Sequence, residues 1–423
     1  MKKYYTRLVE AKIKSKLKSS GAILVAGPRF CGKTTTCMLF QKSFVKLNTD
    51  SVISLIKLNP KNALIGEAPR LIDEWQVIPE IWNEVKNSLD FNYEFGRFIL
   101  TGSSTPSDKM KVYHSGVGRI TPVKMRTLSL FESEESSGKV SLKELFENQD
   151  FELFDLNTSF SLEDIAYLIC RGGWPISIQE DRELGLEITR NYFDSLFVFD
   201  NYENEKFRNK KSEIFKMILK SYARNISTEA SVTTIIADIT ANNNRSIDRK
   251  TYDEYVEALE DLYIISDISA WNPNIRSKTS IRTTPTRHFV DTSIACRALN
   301  IFPNDLVNDL KSFGYFFEDF AIRDLSVYAD TFDGEIRHYR DNTGLECDAI
   351  LHLPNGDWAA IEIKLGGKEL INEGIEALLR LKNKIIQKSD EKAPKFLMVL
   401  TAFGAAYKQE DGIYIVPINM LKP

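Results

Sequence analysis

Cysteine is scarce in this chain. Five residues (Cys31, Cys37, Cys170, Cys296 and Cys347) are scattered over 423 positions, and no two form a C-x-x-C pair. That scatter excludes a disulfide framework or a Cys/His zinc cluster, and free thiols in a reducing cytoplasm are expected. Long apolar runs are also missing, so no segment is expected to span a bilayer. Met1 to Ser20 is basic but holds no apolar stretch of the kind a secretory signal requires. There is no excess of one charge: 55 Lys+Arg against 59 Asp+Glu give a formal net charge of -4. No global basic field marks a nucleic-acid binder, and any such contact must be a local patch. No internal repeat of useful length is found. With 43% hydrophobic and 27% charged residues, the composition is that of a globular protein with room for two to four domains.

Against that plain background one string stands out. Gly27-Pro28-Arg29-Phe30-Cys31-Gly32-Lys33-Thr34 fills the pattern G-x-x-x-x-G-K-[ST]. It follows an apolar run, Ala22 to Ala26, that reads as a buried strand. It precedes Thr35 to Phe40, which can open a helix. Strand, loop and helix in that order make a phosphate-binding loop. Its successive N–H groups face a triphosphate, Lys33 reaches the β- and γ-phosphates, and Thr34 ligates Mg²⁺. ATP and Mg²⁺ are the expected ligands, held by residues 27–35, Thr35 included.

A second strand, Arg70–Asp73, ends in two adjacent carboxylates, Asp73 and Glu74. An ATPase needs a metal-holding carboxylate at such a strand end and a base to polarise water, so Asp73 is assigned to metal and Glu74 to general base. A third strand, Arg97–Thr101, runs into Gly102-Ser103-Ser104. Ser103 or Ser104 could sense the γ-phosphate, or form only a turn. Gly118-Arg119 follows a glycine-punctuated loop. Arg119 reads either as a phosphate sensor or arginine finger, in cis or across a homo-oligomer, or as an ordinary surface arginine.

Three regions are expected. Residues 1–203 alternate short strands with helices, the habit of an α/β nucleotide-binding domain with a helical extension. Within them, Glu132–Leu156 is rich in Glu, Ser and Lys and reads as an exposed excursion or small subdomain rather than core. Helical patterns follow at Leu162–Cys170 and Leu184–Phe199, broken by Gly172-Gly173-Trp174-Pro175. Residues 204–300 hold helices Ser212–Ala223, Val232–Ile239 and Asp248–Tyr263, then strands Ile264–Trp271 and Arg287–Val290, the order of a winged helix. Its third helix is too acidic to face phosphates. Its start holds Arg245, Arg249 and Lys250, and the wing is basic at Arg276, Lys278, Arg282 and Arg287. That wing could hold a DNA backbone without reading sequence, or be a solvated loop on an adaptor.

Residues 301–423 contain a helix, Phe313–Tyr328, then strands Glu335–Arg340, Glu346–His352 and Trp358–Lys364, helix Glu369–Lys384 and strand Lys395–Thr401. The turn Pro354-Asn355-Gly356-Asp357 makes a hairpin of the second and third strands. It sets Asp348 opposite Glu362-Ile363-Lys364, the Asp…Glu-x-Lys arrangement of the PD-(D/E)xK nuclease fold. Two carboxylates there can hold Mg²⁺ or Mn²⁺ against a scissile phosphate, and the lysine can activate water. Glu318 on the preceding helix resembles the extra acid many such folds carry and would join Asp348 and Glu362 in holding the metal, with Lys364 completing a metal-dependent phosphodiesterase site. An inactive binding module, or a buried Glu362–Lys364 pair that only aids packing, fits the same residues.

Gly27–Thr35, Ile72-Asp73-Glu74-Trp75-Gln76, Ile99–Ser104, Gly118-Arg119, Arg171-Gly172-Gly173-Trp174-Pro175 and Phe289-Val290-Asp291-Thr292 occur in the order of a known family. Over nearly its whole length the chain resembles the prokaryotic AAA-type ATPases that carry a C-terminal restriction-endonuclease-like domain of unassigned function. The resemblance implies an α/β architecture: an AAA-type ATP-binding domain, a winged helix-turn-helix domain and a restriction-endonuclease-like domain. It supplies architecture more than purpose; on the residues, nucleotide state is expected to control a DNA-directed C-terminal domain, with an ATP-dependent binding switch or a DNA-binding regulator carrying an inactive nuclease fold as the alternative. The chain departs at Phe30 and Cys31, where members carry a polar and a small or β-branched residue. Side chains there need not touch phosphate.

Overall fold

A computed structural model of the chain describes residues 3–103, 116–148, 151–156, 160–196, 211–243, 246–273, 284–388 and 393–423. Ser104, Arg245, Arg276, Lys278 and Arg282 lie outside the described residues.

The N-terminal part is a parallel sheet with helices on both faces. In chain order it contains α1 (Val9–Leu17), β1 (Ala22–Ala26), α2 (Lys33–Cys37), β2 (Ser43–Lys46), α3 (Asp50–Leu58), β3 (Arg70–Asp73), α4 (Glu80–Phe91), β4 (Phe98–Gly102) and β5 (Ile120–Lys124). The strand order is β2-β3-β4-β1-β5. All five residues of β1 are buried, because each face of the strand is covered. Ala22, Leu24 and Ala26 join the core beneath α4, while Ile23 and Val25 join a second core with Ile13 of α1 and Cys37 of α2. The parallel register brings the ends of β1, β3 and β4 to one edge. Ligands of open α/β sheets bind at that edge.

Two strands of this sheet were not foreseen. β2 is a short edge strand of mixed burial, and β5 contains Pro122, which is tolerated because β5 is also an edge.

The segment expected to be an exposed excursion is instead built into the body of the protein. It forms β6 (Val140–Ser141), α5 (Leu142–Glu147) and β7 (Phe154–Asp155). Val140, Leu142 and Leu145 are fully or almost fully buried in the largest core cluster. The segment's charged residues sit around that apolar face, which is why composition alone misplaced it.

A helical layer follows: α6 (Leu162–Arg171), α7 (Pro175–Ile178), α8 (Arg182–Ser195), α9 (Ser212–Arg224), α10 (Val232–Asn243) and α11 (Arg249–Asp261). The expected hairpin after α11 is reduced to two antiparallel bridges, Ile265–Phe289 and Ile268–Thr286. Ala270 then bridges to His338 in a parallel sense, so this stretch is tied to the C-terminal sheet. Arg287, expected on the wing surface, is buried. Its guanidinium donates to Asp267 (2.5 Å) and the Tyr222 hydroxyl (3.1 Å), and is not free for phosphate.

The chain continues through α12 (Thr292–Leu299), α13 (Pro303–Asn308) and the 20-residue α14 (Leu310–Ala329). Then come β8 (Glu335–Arg340), β9 (Glu346–His352), β10 (Trp358–Lys364), α15 (Lys368–Lys388), β11 (Leu397–Thr401), β12 (Ala406–Lys408), β13 (Tyr414–Pro417) and β14 (Leu421–Lys422). A seven-stranded sheet has the order β7-β12-β13-β11-β10-β9-β8, so its edge strand comes from the segment before α6. β14 pairs in parallel with β6. α14 packs on one face of the sheet and α15 on the other.

Candidate functional site

The glycine-rich loop leaves the C-terminal end of β1, as the motif demands. Gly32 has φ 97°, a left-handed conformation that favours glycine, immediately before α2. Pro28 and Cys31 are buried, whereas Arg29, Phe30 and Thr35 are exposed. Phe30 also has a positive φ, 62°, and sets its ring edge-on to Tyr192 of α8 at 5.9 Å. Lys33 is buried and folds back on its own loop, donating to the carbonyls of Gly27 (2.9 Å) and Pro28 (2.7 Å).

β3 delivers Asp73 beside the loop. Its Oδ1 accepts from the Thr34 hydroxyl (2.8 Å) and the Thr101 hydroxyl (2.5 Å). Its Oδ2 is buried with no hydrogen-bond partner. Glu74 turns out of the strand with φ 59°, and its Oε2 accepts from Gln76 Nε2 at 2.5 Å. Ser103 is buried just past the end of β4. Lys33, Thr34, Asp73, Glu74 and Ser103 are thus brought to one edge of the sheet. Thr101 and Gln76 were missed as partners of this group. Thr101 left no local signal, since it meets Asp73 only through the β3–β4 register that sets the two directly across from each other.

Arg119 is not brought there. Ile120 pairs with Ala22, at the far end of β1, and the Ala22 N–H donates to the Arg119 carbonyl. At a strand rise of about 3.3 Å per residue, the loop lies roughly 13 Å along the strand. Arg119 instead pairs with Asp90 at 2.6 Å, away from its own loop.

In the C-terminal sheet the hairpin forms as expected, with Ile361 opposite Ala349. Asp348 Oδ2 accepts from the Ile363 N–H (2.7 Å) and Lys364 Nζ (3.1 Å), and Lys364 Nζ also donates to Glu362 Oε2 (2.7 Å). Burial and the Asp348 charge push the Glu362 carboxyl up to about 8, with Lys364 opposing. Despite its own burial, Lys364 is held charged by the same two carboxylates and titrates above its ordinary value. Burial and the Asp348 charge raise Glu318 well above the usual carboxylate range. The four residues therefore share one electrostatic neighbourhood. The expected metal cluster is not formed, because the Lys364 ammonium sits between Asp348 and Glu362. Among the described residues no group of three or more His, Cys, Asp or Glu could hold a metal ion. Glu362 Oε1 remains buried without a partner. An open cleft of about 770 Å³ lies over Glu362 and Lys364, walled by α15 at Glu373, Glu376 and Arg380.

Two strings from the sequence, Arg171 to Pro175 and Phe289 to Thr292, meet in a buried network. The Gly173 N–H donates to Asp291 Oδ2 (2.9 Å), Trp174 Nε1 to Ser293 Oγ (3.0 Å), and Arg323 of α14 to Asp291 (3.4 Å). Their role is to lock α6, α12 and α14 together.

Residues 19–134 match a family model described as an AAA domain. Residues 162–305 and 313–421 match two further models, each described as a domain of unknown function. An uncharacterized protein of Mycobacterium bovis and one of Mycobacterium tuberculosis are each 24% identical over 375 residues, covering 87% of this chain and 76% of the relative. A Walker-type ATPase of Pyrococcus abyssi is similar over 68% of this chain and 94% of its own. Its identity is 14% and its TM-score 0.40, too loose a likeness to carry an argument. No helix among the described residues is long and apolar enough to cross a membrane. Residues 19–134 thus match an AAA domain and hold the strand, glycine-rich loop and helix of a P-loop.

Proposed function

We propose that the protein binds Mg·ATP at residues 27–35, hydrolyses it, and passes its nucleotide state to the C-terminal domain. The observation that carries this is Asp73: one oxygen is fixed by Thr34 and Thr101, and the other is buried and unpartnered. A hydroxyl beside such a carboxylate is a donor set that fits Mg²⁺. Thr34 and Asp73 would hold the ion, which neutralises charge on the β- and γ-phosphates when bound. Lys33 exchanges its two loop carbonyls for phosphate oxygens. Glu74, steadied by Gln76, accepts the proton of the attacking water, and Ser103 lies at the same edge as a polar sensor. The Glu74→Gln protein should bind ATP with near wild-type affinity yet lose turnover about a hundredfold or more. Retained turnover would refute the assignment. Arg119, paired with Asp90 away from its own loop, serves either the nucleotide of a second copy or none.

For the C-terminal domain, the lysine between Asp348 and Glu362 favours the reading of a nuclease-like fold used as an ATP-dependent binding switch. As arranged, these residues do not fit Mg²⁺ or Mn²⁺, so no metal-dependent step is assigned to them. Plasmid and single-stranded DNA should survive incubation with Mg²⁺ or Mn²⁺ while ATP hydrolysis proceeds. Metal-dependent nicking abolished by Asp348→Ala would restore the nuclease reading.

A further inference from the structure

We infer that Arg7, which precedes the segment matching the AAA domain, is a positioning residue for the phosphate loop. The inference rests on the nucleotide reading above. Arg7 is 4% exposed, and its guanidinium has three partners. Nη1 donates to the Cys31 carbonyl at 2.7 Å, Nη2 to the Arg126 carbonyl at 2.8 Å, and Nε to Glu132 Oε1 at 3.0 Å. Glu132 is itself fully engaged. Its Oε1 accepts from the Leu8 N–H (2.8 Å) and its Oε2 from the Ser129 N–H (2.9 Å).

The Cys31 carbonyl belongs to the peptide that enters Gly32. A trans peptide points its C=O and N–H in opposite directions. Fixing that carbonyl on Arg7 therefore fixes where the Gly32 N–H points, and that N–H is one of the loop's donors. Cys31 is fully buried, so without Arg7 its carbonyl has no water to turn to. The guanidinium packs directly on the loop: a Cβ built on Gly32 would lie in ordinary contact with Arg7 Nη1, at 3.6 Å. Arg7 reaches its three acceptors from three separate nitrogens of a planar fork, whereas a lysine has all its donors on one nitrogen, so lysine is not an equivalent substitute. The carboxylate that holds Arg7 also belongs to the turn whose Leu130 N–H donates to Asp324 of α14 at 2.8 Å. The loop is thereby braced against the helix that carries Glu318.

The test is calorimetric titration of full-length protein with a non-hydrolysable ATP analogue and Mg²⁺. Wild type, Arg7→Lys, Arg7→Gln and Lys33→Ala are compared, each with its melting temperature in the absence of nucleotide. The Arg7 variants should fold and bind the analogue about ten- to hundredfold more weakly, the loss expected for hydrogen bonds from a charged donor. KM for ATP should rise by a similar factor, while kcat at saturating ATP changes little, and Arg7→Lys should recover part of the loss. Folded Arg7 variants with wild-type affinity overturn the inference, and so do two variants that fail to fold, since Arg7 would then be a fold anchor. Wild type that binds no analogue defeats the nucleotide reading itself. Binding lost in Lys33→Ala but kept in both Arg7 variants defeats this inference alone.

Discussion

Asp73 holds the site together at the residue scale: Thr34 and Thr101 fix its Oδ1, while its Oδ2 is buried without a partner. Lys33, Thr34 and Asp73 were legible because a loop motif and a strand-end carboxylate are local patterns. Thr101 was not, because its bond to Asp73 depends on the register of two strands. Arg119 misled for a related reason. Gly-Arg after a loop looks like a phosphate sensor, but β5 runs parallel to β1 and starts at the end away from the loop. Gly172 shows the same dependence on distant partners. Its φ is 73°, and a Cβ would lie 2.3 Å from Asp291 Oδ1. Gly172→Ala must therefore disturb the buried Asp291–Arg323 network. A loss of roughly 2–4 kcal/mol is expected, read as a lowered urea midpoint. An unchanged midpoint would mean that the network yields without cost.

Elements were legible where the pattern was long and unbroken. β8, β9 and β10 fall on their expected residues, because alternation and an Asn-Gly turn act together. α14 begins at Leu310, earlier than its apolar pattern, because the Asp309 side chain caps it by accepting from the Ser312 N–H. β7, β12 and β14 are two or three residues long and leave no periodicity to read. At the β8–β9 turn, Asp341 ties the hairpin to α15. It accepts from the Thr343 N–H (2.8 Å) and hydroxyl (2.7 Å) and pairs with Lys384. Burial acts to raise the Asp341 carboxyl, but Lys384 and Thr343 overcome it and hold the group well below its ordinary 3.8. A depressed carboxylate stabilises the fold above its unfolded value and loses that contribution as pH falls through its folded value. Asp341→Asn should thus cost about 2–3 kcal/mol at pH 7, and the gap from wild type should shrink as pH drops below 3.8. A gap that stays constant with pH in chemical denaturation would contradict the ionic origin.

At the scale of the whole molecule, three matched segments do not make three separable bodies. The largest core cluster runs from Leu130 to Leu421, joining residues on both sides of α6–α13. β7 completes the C-terminal sheet, and β6 pairs with β14. A fragment ending at residue 300 would expose Val140, Leu142 and Leu145, at about 1.5–3 kcal/mol for each large side chain. It should show no cooperative thermal transition, and a sharp one would mean that the N-terminal body folds alone. The same continuity ties the glycine-rich loop to α14, through Arg7, Glu132 and the Leu130–Asp324 hydrogen bond. The central claim is that Mg·ATP is bound and cleaved at the loop that Lys33 closes. Its most direct test is steady-state phosphate release by the wild-type protein and Lys33→Ala, with Mg·ATP binding measured on both. Release by wild type, with both binding and release lost in a folded Lys33→Ala, is the predicted result. Equal release by the two proteins, or none from a wild type that is folded and supplied with Mg·ATP, would contradict it.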